Sequence, residues 1–197
     1  MTTNRLEAFS DGVIAILITI MVLELHVPED DTFEALRPLL PTLFSYVLSF
    51  AFIGIYWNNH HHLFQASGRV NGAVLWANLH LLFWLSLVPF TTAWMGGNDF
   101  SKWPVAAYGI DLWMCAVAYT VLVFHLRRLH GAGSTLDAAI GDDRKGKISL
   151  VLYTIAIPAS FIMPWAAVAA YVLVAVLWFI PDRRLERALT PDTPSRV

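Results

Sequence analysis

Charged positions divide the chain into long apolar intervals. No Asp, Glu, Lys or Arg occurs between Arg37 and Arg69 or between Arg69 and Asp99, and only Asp111 interrupts the stretch from Lys102 to Arg127. A charge at mid-bilayer is costly, and about 20 apolar helical residues cross a hydrocarbon core. These intervals therefore predict membrane helices near residues 40–63, 72–95 and 104–126. A further helix is predicted near residues 6–25. Its fully uncharged part runs only from Gly12 to Leu23, so the Ser10 and Asp11 end must be shielded from lipid. The last uncharged interval, Ile148 to Pro181, is long for one span, and Pro158 and Pro164 offer breaks. Two helices, near 147–163 and 165–181, are expected there.

Positive charge orients these helices. Six spans with both termini cytoplasmic place eleven of the thirteen Lys and Arg residues inside and leave Arg37 and Lys102 outside. A five-span arrangement moves the C-terminal arginines outward and erases the bias, so six spans fit better. Residues 1–181 are expected to form one six-helix transmembrane domain. Residues 182–197, with Pro191 and Pro194, form a cytoplasmic tail.

Composition narrows the function. The chain has 197 residues, 57% hydrophobic and 14% charged, with a mean hydropathy of +0.57; soluble chains carry about 25% charged residues. This is the balance of an integral membrane protein. A net charge of -2 supplies no basic surface for nucleic acid. Cys115 is the single cysteine, which excludes an intrachain disulfide and a cysteine metal cage. No small-residue cleavage site precedes Glu24, so the first apolar segment is expected to be retained. There is no nucleophile elbow, phosphate-binding glycine loop or paired catalytic carboxylate, so neither an enzyme nor a cofactor is expected.

The informative segment is Arg5-Leu-Glu-Ala-Phe-Ser-Asp-Gly at the entrance to the first helix. At about 100° per residue Arg5 and Phe9 share a face, while Asp11 lies about 240° from Arg5. Each charge must then reach water, a neighbouring helix or another subunit. Helix two brings Trp57, Asn58, Asn59, His60, His61 and His62 to the same level, and helix three adds Asn71, Asn78 and His80. The alternative is that Ser10 and Asp11 merely cap a helix. Consecutive histidines point about 100° apart and cannot all bind one ion; with no HExxH motif, hydrogen bonding through His60 is favoured over a metal site. Asp111 is either a functional acid within the fourth helix or a residue near the outer interface.

Arg5, Phe9, Ser10 and Asp11 reproduce an RxxxFSD signature, and Trp57 with His60 and His61 matches a WxxHH pattern. With Asn78 and Pro89-Phe90, the chain resembles prokaryotic members of the lysosomal potassium channel family, the transmembrane-protein-175 family. That resemblance implies an all-α homotetramer of six-helix subunits in the cytoplasmic membrane, its first helix lining a central pore for potassium ions. Partners are then a second copy of the chain, membrane lipid and the permeant ion. The network residues implied are Arg5, Phe9, Ser10, Asp11, Trp57, His60 and Asn78. No TVGYG filter is present, and the resemblance places a pore constriction at Ile16, Ile20 and Leu23 and selectivity at Thr19. Those four positions form one helical stripe, but Val13, Ile14, Leu17, Ile18 and Val22 are as apolar, so periodicity alone assigns no pore face. Thr19 could instead bond back to the Ala15 carbonyl. The alternative function is a proton-coupled or substrate transporter using Asp11, His60 and Asp111. A membrane subunit without a pore is the third reading.

Overall fold

A computed structural model describes residues 3–141 and 143–179, and these are helical or in connecting turns. The helices are α1 (Thr3–Val22), α2 (Leu40–Gln65), α3 (Gly72–Leu85), α4 (Val88–Gly97), α5 (Lys102–His130), α6 (Thr135–Ile140), α7 (Arg144–Ala159) and α8 (Pro164–Phe179), with a 3-10 helix over Phe33–Leu39 before α2. Among the described residues, three segments are long and apolar enough to cross a membrane: Phe33–Gln65, Gly72–Gly97 and Lys102–His130. The tail at 182–197 and the end of the expected 165–181 helix lie outside the described residues.

Helix boundaries differ from the sequence expectation for local reasons. In α1 the Leu23, Glu24 and Leu25 amides reach back only three residues, to Ile20, Met21 and Val22, so the helix tightens and stops before position 25. The third apolar segment is broken at Ser86–Leu87. Pro89 sits in the first turn of α4, where it has no amide to donate and its ring would crowd the carbonyl of Leu85. Ser160 to Met163 separate α7 from α8, because Pro164 opens α8 and disfavours helical backbone in the residue before it.

Apolar side chains pack into two clusters. One joins α1, α2, α3 and α5 through Ile14, Met21, Ile53, Val74, Leu81 and Leu122. The other joins α2, α4, α5, α7 and α8 through Phe52, Met95, Tyr108, Leu112, Tyr153 and Tyr171. Helices α2 and α5 are common to both. Two glycines permit the closest crossings. A Cβ at Gly96 would lie 2.7 Å from the Thr42 Cα, so α4 touches the backbone at the start of α2. A Cβ at Gly109 would meet the Tyr171 ring, 2.7 Å from Cζ, and the Tyr171 hydroxyl donates to the Val105 carbonyl at 3.1 Å.

Short α6 is tied to the end of α5. The Gly133 amide donates to Asp137 Oδ2 at 3.2 Å, and Arg127 Nε donates to Oδ1 at 2.8 Å. The Gly133 amide first and the Arg127 guanidinium second hold the Asp137 carboxyl below the usual carboxylate range.

Two outcomes follow. Gly96→Ala has no backbone-free space to enter and should destabilise by about 2 kcal/mol, as overpacking does, measured as a lower unfolding temperature in detergent; Gly97→Ala, with open space around its Cβ, is the control. Because the Asp137 carboxyl is lowered in the folded chain, its contribution is complete above the unfolded carboxylate range and is lost as pH falls through the lowered value. Hydrogen exchange of α6 amides should therefore show protection that weakens as pH falls below the usual carboxylate range in the wild type, and that is already reduced at neutral pH in Asp137→Ala.

Candidate functional site

Helix α1 has two different faces. Leu6, Ser10, Ile14, Leu17 and Met21 are buried against the rest of the subunit, at spacings of three and four that follow one side of a helix. Ile16 is 57% exposed, Ile20 42% and Leu23 74%, and Thr19 is exposed beside them. Leu23 lies one residue beyond the end of α1, in the closing turn. Arg5 and Phe9 also stand on exposed positions. The Thr19 hydroxyl donates to the Ile16 carbonyl at 2.9 Å rather than to Ala15; its oxygen lone pairs remain available on the exposed side.

The buried face is pinned by hydrogen bonds. His60, Asn78 and Ser10, on α2, α3 and α1, are all fully buried. His60 Nε2 is 2.8 Å from Asn78 Oδ1, Asn78 Nδ2 donates to Ser10 Oγ at 2.9 Å, and Ser10 Oγ donates to the Leu6 carbonyl at 2.9 Å. An amide oxygen only accepts, so His60 carries its proton on Nε2 and the chain runs donor to acceptor across three helices. The remaining ring nitrogen, Nδ1, has no partner among the described residues. Each such interhelical bond within a membrane is worth about 1 kcal/mol.

Two further contacts join α1 to α2. Trp57 Nε1 donates to Asp11 Oδ1 at 3.1 Å. His61 Nδ1 donates to Glu7 Oε1 at 2.7 Å, and Gln65 Nε2 donates to His61 Nε2 at 2.7 Å. The Trp57 and His61 rings stack with centroids 5.9 Å apart. Glu7 and Asp11 are one turn apart on α1, as are Trp57 and His61 on α2, and the pairs match in opposite order, as antiparallel neighbours require. The structure thus brings together Ser10, Asp11, Trp57, His60 and Asn78, and leaves Arg5 and Phe9 outside this group.

A second buried polar layer joins α2, α4 and α5. Asp111 Oδ2 accepts from Thr91 at 2.9 Å, while Oδ1 has no partner among the described residues. Nearby, the Thr92 hydroxyl lies 2.6 Å from Ser49 Oγ and 2.6 Å from the Val88 carbonyl, and Ser49 Oγ lies 2.9 Å from the Tyr108 hydroxyl. Asp11, His60 and Asp111 belong to three separate hydrogen-bonded groups, so no continuous relay links them among the described residues. No cluster of three or more His, Cys, Asp or Glu side chains able to hold a metal occurs there either.

The family described as endosomal/lysosomal potassium channel TMEM175 matches residues 5–89, which include the whole α1–α2–α3 hydrogen-bonded group. A potassium channel of Chryseobacterium sp. (strain P1-3) is 54% identical over 96% of this chain and 98% of its own length. The chain belongs to the TMEM175 potassium channel family. A potassium channel of Streptomyces collinus (strain DSM 40733 / Tue 365) is 32% identical over 89% of this chain and 91% of its own. The crystal structure of a lysosomal potassium-selective channel TMEM175 homolog from Chamaesiphon minutus superposes with a TM-score of 0.77 at 29% identity, over 95% of this chain and 98% of that one. This TMEM175 member is accordingly a multi-pass membrane protein of a channel family, not of an enzyme family.

The Glu7–His61–Gln65 contact is the part of the group that sequence reasoning missed. Its signal was present, since acids at 7 and 11 and hydrogen-bonding rings at 57 and 61 are both four apart. The Thr91–Asp111 pair needed the break before α4 to be known. Asn78→Ala should cost about 2 kcal/mol, because it leaves the buried His60 donor unpaired; Glu7→Gln keeps an acceptor for His61 and should shift the unfolding temperature far less. Thermal unfolding of both variants in one detergent checks the order.

Proposed function

We propose that four copies of this chain surround a potassium-permeable pore lined by α1, with Ile16, Ile20 and Leu23 forming its apolar constriction. The observation that carries the reading is the division of α1: one face is sealed within the subunit, and the other presents Ile16, Thr19, Ile20 and Leu23 unburied. Relatives named potassium channels over nearly the whole chain support the ion. In this reading α1, α2, α3 with α4, α5, α7 and α8 are the six spans of a domain covering 1–181, and the protein sits in the cytoplasmic membrane with both termini and the 182–197 tail inside. The asymmetry of Lys and Arg supports that orientation.

The chemistry follows from ring size and hydration. A narrow tube of isoleucine and leucine holds too little water to hydrate a cation, so it blocks flow until it widens. Thr19 donates its proton to the Ile16 carbonyl, which leaves its oxygen able to accept. A ring of such oxygens replaces part of an ion's water shell, and potassium, held less tightly by water than sodium, loses less on entering. Modest selectivity results. Ser10, Asp11, Trp57, His60 and Asn78 act as the supports that set the rotation of α1, with Glu7 and His61 beside them, while Arg5 and Phe9 of the expected network stand on exposed positions.

Potassium flux into proteoliposomes under an imposed gradient tests the pore. Ile16→Asn should raise passive potassium flux several-fold by wetting the constriction, and unchanged flux in a folded protein removes Ile16 from it. Thr19→Ala should bring the potassium and sodium rates closer together. A preserved ratio in a conducting channel would assign selectivity elsewhere.

A further inference from the structure

Asp111 is the single Asp, Glu, Lys or Arg between Lys102 and Arg127, and it is 3% exposed. The proposed pore makes no use of it. Its Oδ2 lies 2.9 Å from the Thr91 hydroxyl, while Oδ1 is buried without a partner among the described residues. The titratable groups that face it are Tyr56 from α2 and Tyr108 and Cys115 from α5 itself. Behind Tyr108 stand Tyr171 of α8, with ring centroids 5.7 Å apart, and Tyr153 of α7, 6.0 Å from Tyr171. Helix α4 carries no titratable side chain, and His80 of α3 is turned to Trp84. No positive charge therefore meets the carboxyl among the described residues.

Hydroxyl protons decide between two states of this group. Thr91 has one proton, and both Asp111 Oδ2 and the Val88 carbonyl, at 3.2 Å, lie within its reach. If Asp111 is ionised, Thr91 must donate to it, and a full negative charge stays buried on one hydrogen bond, which is expensive. If Asp111 is protonated, Oδ2 donates to Thr91 and Thr91 passes its own proton to Val88. A second arm runs the same way. A carbonyl only accepts, so Thr92 donates to Val88 at 2.6 Å, Ser49 donates to Thr92 at 2.6 Å, and the Tyr108 hydroxyl donates to Ser49 at 2.9 Å. Both arms then end on the Val88 carbonyl, and every hydroxyl proton in them has an acceptor.

We propose that Asp111 is a proton-binding site, holding a proton on Oδ2 as the donor that joins α5 to the first turn of α4. A proton suits the site where a larger cation does not, because a metal ion needs several oxygens around it and the neighbouring hydroxyls are committed to one another. The proton is held locally and not relayed, since this group shares no hydrogen bond with Asp11 or His60 among the described residues. Its loss turns Thr91 from Val88 to Asp111 and leaves the Val88 carbonyl to Thr92. Val88 is also where the polar layer meets the pore helix. Its side chain is 1% exposed and belongs to the apolar cluster that holds Ile14, Leu17 and Met21 of α1, so the protonated carboxyl steadies the surface on which α1 packs.

Infrared spectroscopy of the purified protein in an ester-free detergent reads the proton without requiring conductance. At neutral pH the wild type should show the C=O stretch of a protonated carboxylic acid, shifted by deuterium exchange and absent in Asp111→Asn. Thr91→Val, which removes the partner of the acid, should keep the band and move it to higher frequency, and Thr91→Ser should restore it. No such band in the wild type overturns the proposal, as does a band undiminished in Asp111→Asn or unmoved in Thr91→Val. Thermal unfolding supplies a second readout. A proton bound by the folded chain and released on unfolding makes stability fall as pH rises, and Asp111→Asn has no such proton. From the usual carboxylate range up to the pH at which the band disappears, the wild type should lose several degrees relative to Asp111→Asn. A constant difference between the two across that range overturns the site. Neither readout depends on the pore, so failure here leaves the channel reading standing, and a protein that shows the band without conducting overturns the channel reading alone.

Discussion

The directed hydrogen-bond chain from His60 through Asn78 and Ser10 to the Leu6 carbonyl is the constraint on which the arrangement of α1 depends. A helix as apolar as α1 has no strong reason to present one side rather than another to its own subunit, since lipid tails and leucine side chains offer nearly the same solvent. Polar atoms break that degeneracy. Ser10 has a partner at only one rotation of α1, and a buried donor left unpaired in Asn78 or His60 would cost more than the bond contributes. Once Ser10 is seated, Ile14, Leu17 and Met21 follow it into the core, and Ile16, Thr19 and Ile20 are turned out.

The same logic explains what could be read from sequence. The charge-free intervals locate the long apolar segments because a bilayer excludes charge regardless of tertiary detail. The face of α1 was not legible, because Val13, Ile14, Leu17 and Ile18 are as hydrophobic as Ile16 and Ile20, and the information that separates them resides in His60 and Asn78, dozens of residues away. Helix ends were displaced for the same kind of reason. The break at Ser86–Leu87 lies inside an unbroken apolar run, and only the steric demand of Pro89 on the preceding turn marks it.

Helix α2 carries two duties that its sequence keeps apart. One side offers Trp57, His60 and His61 to α1 and α3, and the other offers Phe52, Tyr56 and Asn59 to α5, α7 and α8. The result is a wall shared by both apolar clusters. The polar layer of Ser49, Thr92 and Tyr108 fixes that wall at a second height, so α2 is held against both translation and rotation. Glycine at 96 allows the start of α2 to approach α4 closely enough for this to happen.

All the polar anchors of α1, at Glu7, Ser10 and Asp11, fall within its first half. Beyond Asp11, among the described residues, the helix is held to its neighbours by apolar contacts. Mechanically it is a cantilever, clamped at one end. Leu23 lies about 18 Å along the axis from Asp11 at 1.5 Å per residue, so a tilt of about 10° at the clamp moves the far end by about 3 Å. That is roughly the diameter of a water molecule.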